Sequence, residues 1–181
     1  MEAPEVPTEH LHEHIHEQAH AQGGKIKWVM GVALTSALLA AMAAVASLLA
    51  GHHANEAMIE QIKSSDQWNY YQSKGVKAAV LGSKLELLEG LEKPASQKDK
   101  DKIAEYGKQQ QEIKEKADEM EKSADRHLHT HLVFARAVTL FQVAIAIAAI
   151  SVLSHKRAFW FVSLAFGLVG LVFLIQGLIL Q

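Results

Sequence analysis

The residues of this chain that could do chemistry are its histidines, which number eleven in 181 residues. Near the N-terminus they alternate with glutamates between Glu9 and His20. If this segment is helical, histidines four positions apart share one face, and two imidazoles one turn apart can chelate Zn²⁺, Ni²⁺ or Cu²⁺. The candidate ligands are His10, His12, His14, His16 and His20. The alternative is an amphipathic helix on the membrane surface whose solvated histidines titrate at about pH 6.5.

A second group of histidines borders two long apolar runs farther along the chain. Its members are His52, His53, His127, His129 and His131. Because a helical hairpin would bring the segments 52–53 and 127–131 to one level, these imidazoles could form one ring in an oligomer. Such a ring would bind metal or respond to pH. The alternative is a polar collar where the helices enter the membrane.

Other kinds of chemistry find little support in the composition. Cysteine is absent, which excludes disulfides, thiolate metal sites and cysteine nucleophiles. The sequence offers no evident nucleophile–base pair and no acidic residue inside an apolar run, so we do not expect an enzyme. Residues 51–131 carry 13 basic and 15 acidic groups. This balance argues against a nucleic-acid partner, which would require a basic surface.

Three long apolar runs must position these histidines: Trp28–Ala50, Leu132–Ser154 and Ala158–Leu180. Each is close to the roughly 20 residues that an α-helix needs to cross a bilayer core of about 30 Å. In lipid, a helix satisfies its own backbone polar groups. We therefore predict an all-α membrane protein with three transmembrane helices. The acidic leader and the length of the first run favour an uncleaved helix over a secretory signal peptide.

Basic residues in the short segments beside these runs predict the orientation in the membrane. Lys25 and Lys27 precede the first run, and His155-Lys156-Arg157 connects the second run to the third. With three spans, both segments lie on one side of the membrane, which we assign to the cytoplasm. Residues 51–131 are then periplasmic, and the prediction is a multi-pass protein of the bacterial inner membrane, in contact with membrane lipids.

The segment between the first two runs is predicted to be a long extramembrane helical hairpin that resembles a coiled-coil stalk. Pro94 disfavours helix at the preceding residue and places the tip near 92–97. Beyond the tip, a seam with alternating 3-4 spacing predicts one helix from about Asp99 through Ser154. The seam residues are Ile103, Tyr106, Gln110, Ile113, Ala117, Met120 and Ala124. The candidate inward residues of the first arm are Met58, Ile62, Val76, Ala79, Leu85, Leu88 and Leu91.

Side-chain size distinguishes the three runs. Ser36, Ala40 and Ala44 in the first run form a small-residue face of the kind that lets membrane helices approach closely. The third run is bulkier and is predicted to face lipid. Arg136 lies about one turn inside the second run, either snorkelling to the headgroups or facing inward at the mouth of an oligomeric pore or at a headgroup site. The predicted organisation is a tail at 1–27, spans at 28–50, 132–154 and 158–180, and a hairpin at 51–131.

The segment Asp66-Gln67-Trp68-Asn69-Tyr70-Tyr71-Gln72-Ser73-Lys74 resembles the signature of an uncharacterised bacterial membrane-protein family, known as a domain of unknown function. The family shares the His/Glu-rich leader, the single early span, the charged helical middle and the paired C-terminal spans. The resemblance covers essentially the whole chain, implies a bacterial inner-membrane protein and carries no activity with it. Gly75 departs from the larger residue expected there. Trp68 and Tyr71 are either core residues of the hairpin or of a subunit interface, or membrane anchors if the helix lies flat.

Three functions are compatible with these features. The first is a non-enzymatic homo-oligomer that acts as a scaffold or as an accessory subunit of a larger membrane complex. The second is a channel or transport protein whose pore is lined by the first span. The third is the binding or sensing of Zn, Ni or Cu through the His-rich leader.

Overall fold

The computed structural model describes Glu13 and residues 27–180. The predicted metal ligands His10, His12, His14, His16 and His20 lie outside these residues. Three long helices follow one another: α1 (Lys27–Gly90), α2 (Gln97–Ser154) and α3 (Arg157–Ile179). Over the described ranges the protein contains no strand, and all three helices are long and apolar enough to cross a membrane. The predicted all-α class and the three candidate spans are confirmed.

The chain divides into two compact units, and the boundary lies near the points where α1 changes from apolar to charged and α2 from charged to apolar. We call the first the apolar unit; it comprises Met1–Asn55 and His127–Gln181. The second, which we call the charged unit, is Glu56–Arg126.

In the apolar unit, parts of all three helices enclose a core of small and aromatic residues. Phe134, Phe141 and Ile145 of α2 are fully buried in its larger cluster. The partners of these residues from α1 and α3 are Leu39, Ala43, Ala46, Ala50 and Leu174. A smaller cluster joins Val29, Val32 and Ala33 to Ala148, Ala149 and Val152, with Trp28 and Trp160 packed against it. In the larger cluster, small residues of α1 therefore pack against the large side chains of α2.

Helix α3 packs through a stripe of small residues. Its buried residues are Ser163, Gly167, Gly170, Leu174 and Gly177. A Cβ atom at Gly170 would lie 2.8 Å from Cε1 of Phe141, and one at Gly177 would lie 2.6 Å from Cε1 of Phe134. The Ser163 hydroxyl donates a hydrogen bond to the Ala144 carbonyl at 2.7 Å. The bulky side chains Phe161 and Phe166 are exposed, as predicted for a lipid-facing helix, but the sequence interpretation missed the glycine stripe.

Trp160 anchors the start of α3 to α1. Its Nε1–H donates to the hydroxyl oxygen of Thr35 at 3.2 Å, and that hydroxyl donates in turn to the Gly31 carbonyl at 2.9 Å. Gly31 leaves room for the indole, because a Cβ atom there would lie 3.3 Å from the Trp160 ring. The guanidinium of Arg157 lies 5.8 Å from the centroid of the Trp28 ring. Trp160 thus joins α3 to α1.

In the charged unit, residues of α1 and α2 meet in an antiparallel order. The Ser64 hydroxyl donates to the Ala117 carbonyl at 3.1 Å, and Lys84 pairs with Asp99 at 2.6 Å. On α2, the seven predicted seam residues are all buried or half-buried, with Ile113, Ala117 and Ala124 the most covered.

On α1, the prediction of the inward face is wrong for most of its residues. Met58, Ile62, Val76 and Leu91 are exposed, as is Ala79, while Leu85 and Leu88 are half-buried. The covered positions instead recur every seven residues in two interleaved series. They are Ala57, Ser64, Tyr71, Ala78 and Leu85 in one series and Glu60, Gln67, Lys74, Leu81 and Leu88 in the other. The covered face of α1 in this unit therefore follows a seven-residue repeat.

Helix α1 ends in a left-handed turn just before Pro94. Glu92 has φ 55°, its N–H donates to the Glu89 carbonyl at 3.0 Å, and the Lys93 N–H donates to the Leu88 carbonyl at 2.9 Å. These two bonds are the Schellman arrangement, in which glycine is the favoured left-handed residue. The turn therefore carries a residue with a Cβ atom where the backbone conformation favours none.

We expect Glu92→Gly to stabilise the charged unit by about 1 kcal/mol, because a residue with a Cβ atom costs about that much in the left-handed region. Thermal unfolding of the full-length protein in detergent, followed by circular dichroism, measures the change. Glu92→Ala is the matched control, since it removes the same carboxylate but keeps the Cβ atom. An equal gain for both variants would assign the effect to the lost charge.

Candidate functional site

Two histidines of the second predicted group face each other across α1 and α2 in the apolar unit. The Nδ1 atoms of His53 and His127 lie 3.0 Å apart, and their ring centroids lie 5.3 Å apart. His53 is buried, with 6% of its surface exposed, and His127 is half-buried. A hydrogen bond between two Nδ1 atoms requires one to carry the proton and the other to accept it. The two rings are therefore coupled in their tautomers.

The remaining histidines of this group have different surroundings. Nδ1 of His131 lies 2.8 Å from the Ala50 carbonyl oxygen, and since a carbonyl only accepts, this nitrogen carries the proton. His52 is exposed, with its ring centroid 5.3 Å from that of His53, and His129 is exposed as well. Within the described part of the chain, no group of three or more histidine and acidic side chains is placed to hold a metal ion. Of this group, one chain thus supplies a single pair of facing imidazoles, His53 and His127.

Phe134 holds the His53 ring in place. The two rings are stacked, with centroids 5.8 Å apart and planes 15° apart. The same phenylalanine packs against Gly177 of α3, where a Cβ atom would meet its ring. The histidine pair is thereby tied to all three helices of the apolar unit.

The other residues predicted for packing or interaction are distributed over several faces. Ser36 is fully buried and donates to the Ala33 carbonyl at 3.2 Å, Ala40 is half-buried, and Ala44 is exposed. The predicted line thus starts on the covered face of α1 at Ser36 and leaves that face by Ala44. Arg136 is exposed on α2. A role for Ala44 and Arg136 in contacts with lipid or another copy stays a prediction.

The aromatic motif of the charged unit contains one pair of rings in contact and a lysine that lies over two tyrosine rings. Trp68 and Tyr71 are half-buried and lie edge to face, with centroids 5.6 Å apart. Nζ of Lys74 lies 4.9 Å from the Tyr70 ring centroid and 5.3 Å from that of Tyr106 on α2. A lysine between two ring faces is held by cation–π attraction. Within this unit, the motif joins α1 to α2.

Gly75 has a structural reason within this cluster. The side-chain amide of Gln110 donates to the Tyr71 carbonyl at 3.2 Å and crosses α1 directly over Gly75. A Cβ atom at position 75 would lie 2.9 Å from Nε2 of Gln110. Gly75, where the resemblance implied a larger residue, thus coincides with a hydrogen bond between helices.

We expect Gly75→Ala to leave stability nearly unchanged, whereas Gly82→Ala stabilises the charged unit by about 1 kcal/mol through helix propensity alone. A Cβ atom at Gly82 meets nothing within 4 Å. At Gly75 the same gain is offset by the hydrogen bond of Gln110, which is worth about 1 kcal/mol. Thermal unfolding of both variants measures the difference, and the gain should return when Gln110→Ala serves as the background. Equal gains at the two glycines would contradict this arrangement.

Lys63, an exposed lysine of the charged unit, is not prepared for proton transfer. Its hydrogen bond to Glu60, 2.9 Å long, and the attraction of that carboxylate raise the pKa of Lys63 above its ordinary value. Lys63 therefore stays cationic, which suits a surface ion pair and not a general base.

One family model covers the histidine pair and the aromatic motif together. A family model described as "Domain of unknown function (DUF4337)" matches residues 28–180. The chain belongs to this family. The suspected membership is confirmed, and the match includes the aromatic motif and the histidine pair but not the residues before Trp28. No curated protein and no solved structure matches the chain.

The match to DUF4337 covers nearly all of the three helices, whereas the histidine-rich leader lies outside the matched residues. Features argued from α1, α2 and α3 therefore concern the family segment, whereas those argued from the leader concern this chain. The sequence interpretation grouped five histidines near the span ends but did not single out His53 and His127. A signal was available in the spacing. His53 lies seven residues before Glu60 in a covered series of α1, and His127 lies seven residues after Met120 in the seam of α2.

Proposed function

We propose that this protein is a non-enzymatic homo-oligomer of the bacterial inner membrane that acts as a scaffold or as an accessory subunit of a larger membrane complex. In this proposal, residues 28–50, 132–154 and 158–180 cross the membrane. Residues 51–131 form a helical hairpin, similar to a coiled coil, on the periplasmic side. The basic segments beside the spans, at 25–27 and 155–157, support a cytoplasmic N-terminus.

The observation that carries the proposal is a second apolar stripe on the charged half of α1. Ile59, Ile62, Val76, Val80 and Leu87 are all exposed, and Val80 and Leu87 expose 64% and 65% of their surface. They share two positions of the seven-residue repeat, and these positions lie opposite the face of α1 that packs on α2. An apolar stripe in water is costly and marks an interaction surface.

A second copy of the chain suits this stripe because of the charges around it. Acidic and basic side chains are interspersed along the segment, for example Lys77, Lys84 and Glu86 on its exposed surface. Mixed charges beside an apolar stripe are the arrangement of helices that pair with one another. Association through the stripe would remove it from water and build the oligomer.

A channel lined by α1 finds less support. The exposed residues of α1 in the apolar unit include Leu34, Leu38 and Leu48. A pore lined by these side chains would present hydrocarbon to water, whereas lipid or another helix suits them. Arg136, exposed on α2, is the feature that keeps a channel as the second candidate.

The test uses the absence of cysteine, because any introduced cysteine is then the only thiol in the protein. We expect Leu87→Cys to form disulfide-linked dimers in native membranes under mild oxidation. Disulfides require Cα atoms within about 7 Å, so cross-linking reports direct apposition of the stripe. The matched control is Glu89→Cys, which is also exposed but lies on the other side of the helix, because two residues on an α-helix differ by about 200°.

Dimers from Leu87→Cys together with monomers from Glu89→Cys would support association through the stripe. Equal cross-linking of the two variants would indicate random collision. Monomers from Leu87→Cys and from Val80→Cys would remove the basis of the proposal.

A further inference from the structure

We propose that His53 and His127 form a two-ligand binding site for a divalent transition-metal ion, with Cu²⁺ and Ni²⁺ as the best-fitting ions. This inference is independent of the scaffold proposal, which needs no metal. It also differs from metal binding by the histidine-rich leader, because its ligands come from two different helices of the family segment.

The distance between the two Nδ1 atoms selects the geometry. With metal–nitrogen bonds of about 2.0–2.1 Å, two cis ligands of a square-planar ion lie about 2.9 Å apart, two ligands of a tetrahedral ion about 3.3 Å, and two of a linear ion about 4 Å. The observed separation is 3.0 Å. The nitrogen separation is therefore closest to that of cis ligands at a tetragonal ion, and binding adds a rotation of the rings, because the hydrogen bond points each Nδ1 at the other. Square-planar and tetragonal nitrogen sites favour Cu²⁺ and Ni²⁺.

The surroundings hold the two Nδ1 atoms next to each other. His53 is buried and stacked on Phe134, which is itself fully buried. His127 faces it from α2. Because the rings are already placed, binding loses little side-chain freedom, whereas a pair on an exposed segment would first have to be ordered.

The proton that the two rings share does not prevent binding. Without metal, one Nδ1 carries the proton and donates a hydrogen bond to the other Nδ1. When the ion occupies both Nδ1 atoms, that proton moves to Nε2 of the same ring, and two neutral imidazoles act as ligands. No proton is released overall, and no oxidant or reductant takes part. Water completes the coordination of the ion, because the described residues place no third histidine or acidic ligand beside the pair.

The test is made on the full-length protein in detergent, with His10, His12, His14, His16 and His20 replaced by asparagine so that the leader cannot bind. Cu²⁺ is added, excess ion is removed by gel filtration, and retained copper is measured by mass spectrometry. We expect one Cu²⁺ per chain, with an electron paramagnetic resonance spectrum that shows coordination by two imidazole nitrogens.

His127→Asn in this background should lose the retained copper, and His129→Asn should keep it. His129 is the matched control because it is exposed and lies two residues away on the same helix. Circular dichroism of each variant shows whether the helices are intact. Cu²⁺ should raise the melting temperature of the background and of His129→Asn, but not that of His127→Asn.

Three results would overturn the proposal. They are a background protein that retains no copper, copper retention that survives His127→Asn, and equal losses for His127→Asn and His129→Asn. If His127→Asn fails to fold, the nitrogen count from the spectrum of the background protein decides, since a single coordinating imidazole excludes the pair. Cross-linking at Leu87 does not depend on any of these results, so failure of this site and failure of the scaffold proposal are distinguishable.

Discussion

Gly177→Leu is expected to destabilise the apolar unit by about 1–3 kcal/mol, the usual cost of adding atoms to a well-packed core. A Cβ atom at position 177 would lie 2.6–2.8 Å from three atoms of the Phe134 ring. That ring has no exposed surface and is stacked on His53. Because it cannot turn away freely, α3 must move outward.

The matched control for this prediction is Gly51→Leu on α1. A Cβ atom at Gly51 meets nothing within 4 Å. Both substitutions gain the same helix propensity, about 0.8 kcal/mol, so the difference between them reports the clash alone. Thermal unfolding in detergent micelles measures it. Phe134→Ala should relieve the clash, and a double-mutant cycle should therefore show a coupling of about 1 kcal/mol or more.

If Gly177→Leu is as stable as Gly51→Leu, α3 does not pack on Phe134 through its glycines. That result would also release the restraint on the His53 ring, because Phe134 would no longer be held between α3 and the histidine. The packing of α3 and the placement of the histidine pair thus depend on the same aromatic residue.

Elements of this fold follow from the sequence where one physical signal dominates. The three spans follow from hydrophobic length, and the break between α1 and α2 follows from Pro94, since the helices end at Gly90 and resume at Gln97. The seam of α2 from Ile103 to Ala124 follows from its apolar spacing among charged neighbours. In each case a single pattern separates one outcome from its alternatives.

The inner face of α1 in the charged unit does not follow in this way, because α1 is apolar on two faces. The larger apolar residues, such as Ile62 and Val76, are exposed, whereas Ser64 is buried. A short side chain on the inner face lets the helices approach and places a hydroxyl on a carbonyl of the partner helix. Hydrophobicity alone selects the wrong face here, because close approach favours small residues over large ones.

The histidine pair shows a similar limit. Position in the sequence brings five histidines near the span ends, but the rotation of each helix decides which rings meet. His53 and His127 point toward the partner helix, whereas His52 and His129 are exposed. The rotation is set by packing elsewhere along the helices, such as the contact of small α1 residues with Phe134 and Phe141.

Ser64→Leu is expected to destabilise the charged unit by about 2–4 kcal/mol, which combines overpacking of about 1–3 kcal/mol with a lost hydrogen bond of about 1 kcal/mol. Ser64 is 1% exposed, and its hydroxyl contacts the Ala117 carbonyl at 3.1 Å. A leucine side chain in this space forces α1 and α2 apart. Thermal unfolding and amide hydrogen exchange around positions 64 and 117 measure the effect.

Ser65→Leu is the control, because Ser65 is the adjacent serine and is exposed. It should change stability by less than about 0.5 kcal/mol, as surface substitutions usually do. Ser64→Ala should fall between the two, since it removes only the hydrogen bond. Equal effects of leucine at positions 64 and 65 would show that the inner face of α1 has been misassigned. The outer face that contains Leu87 would then lose its assignment as well. The cross-linking of Leu87→Cys therefore tests an outer interface only if Ser64→Leu is the more damaging substitution.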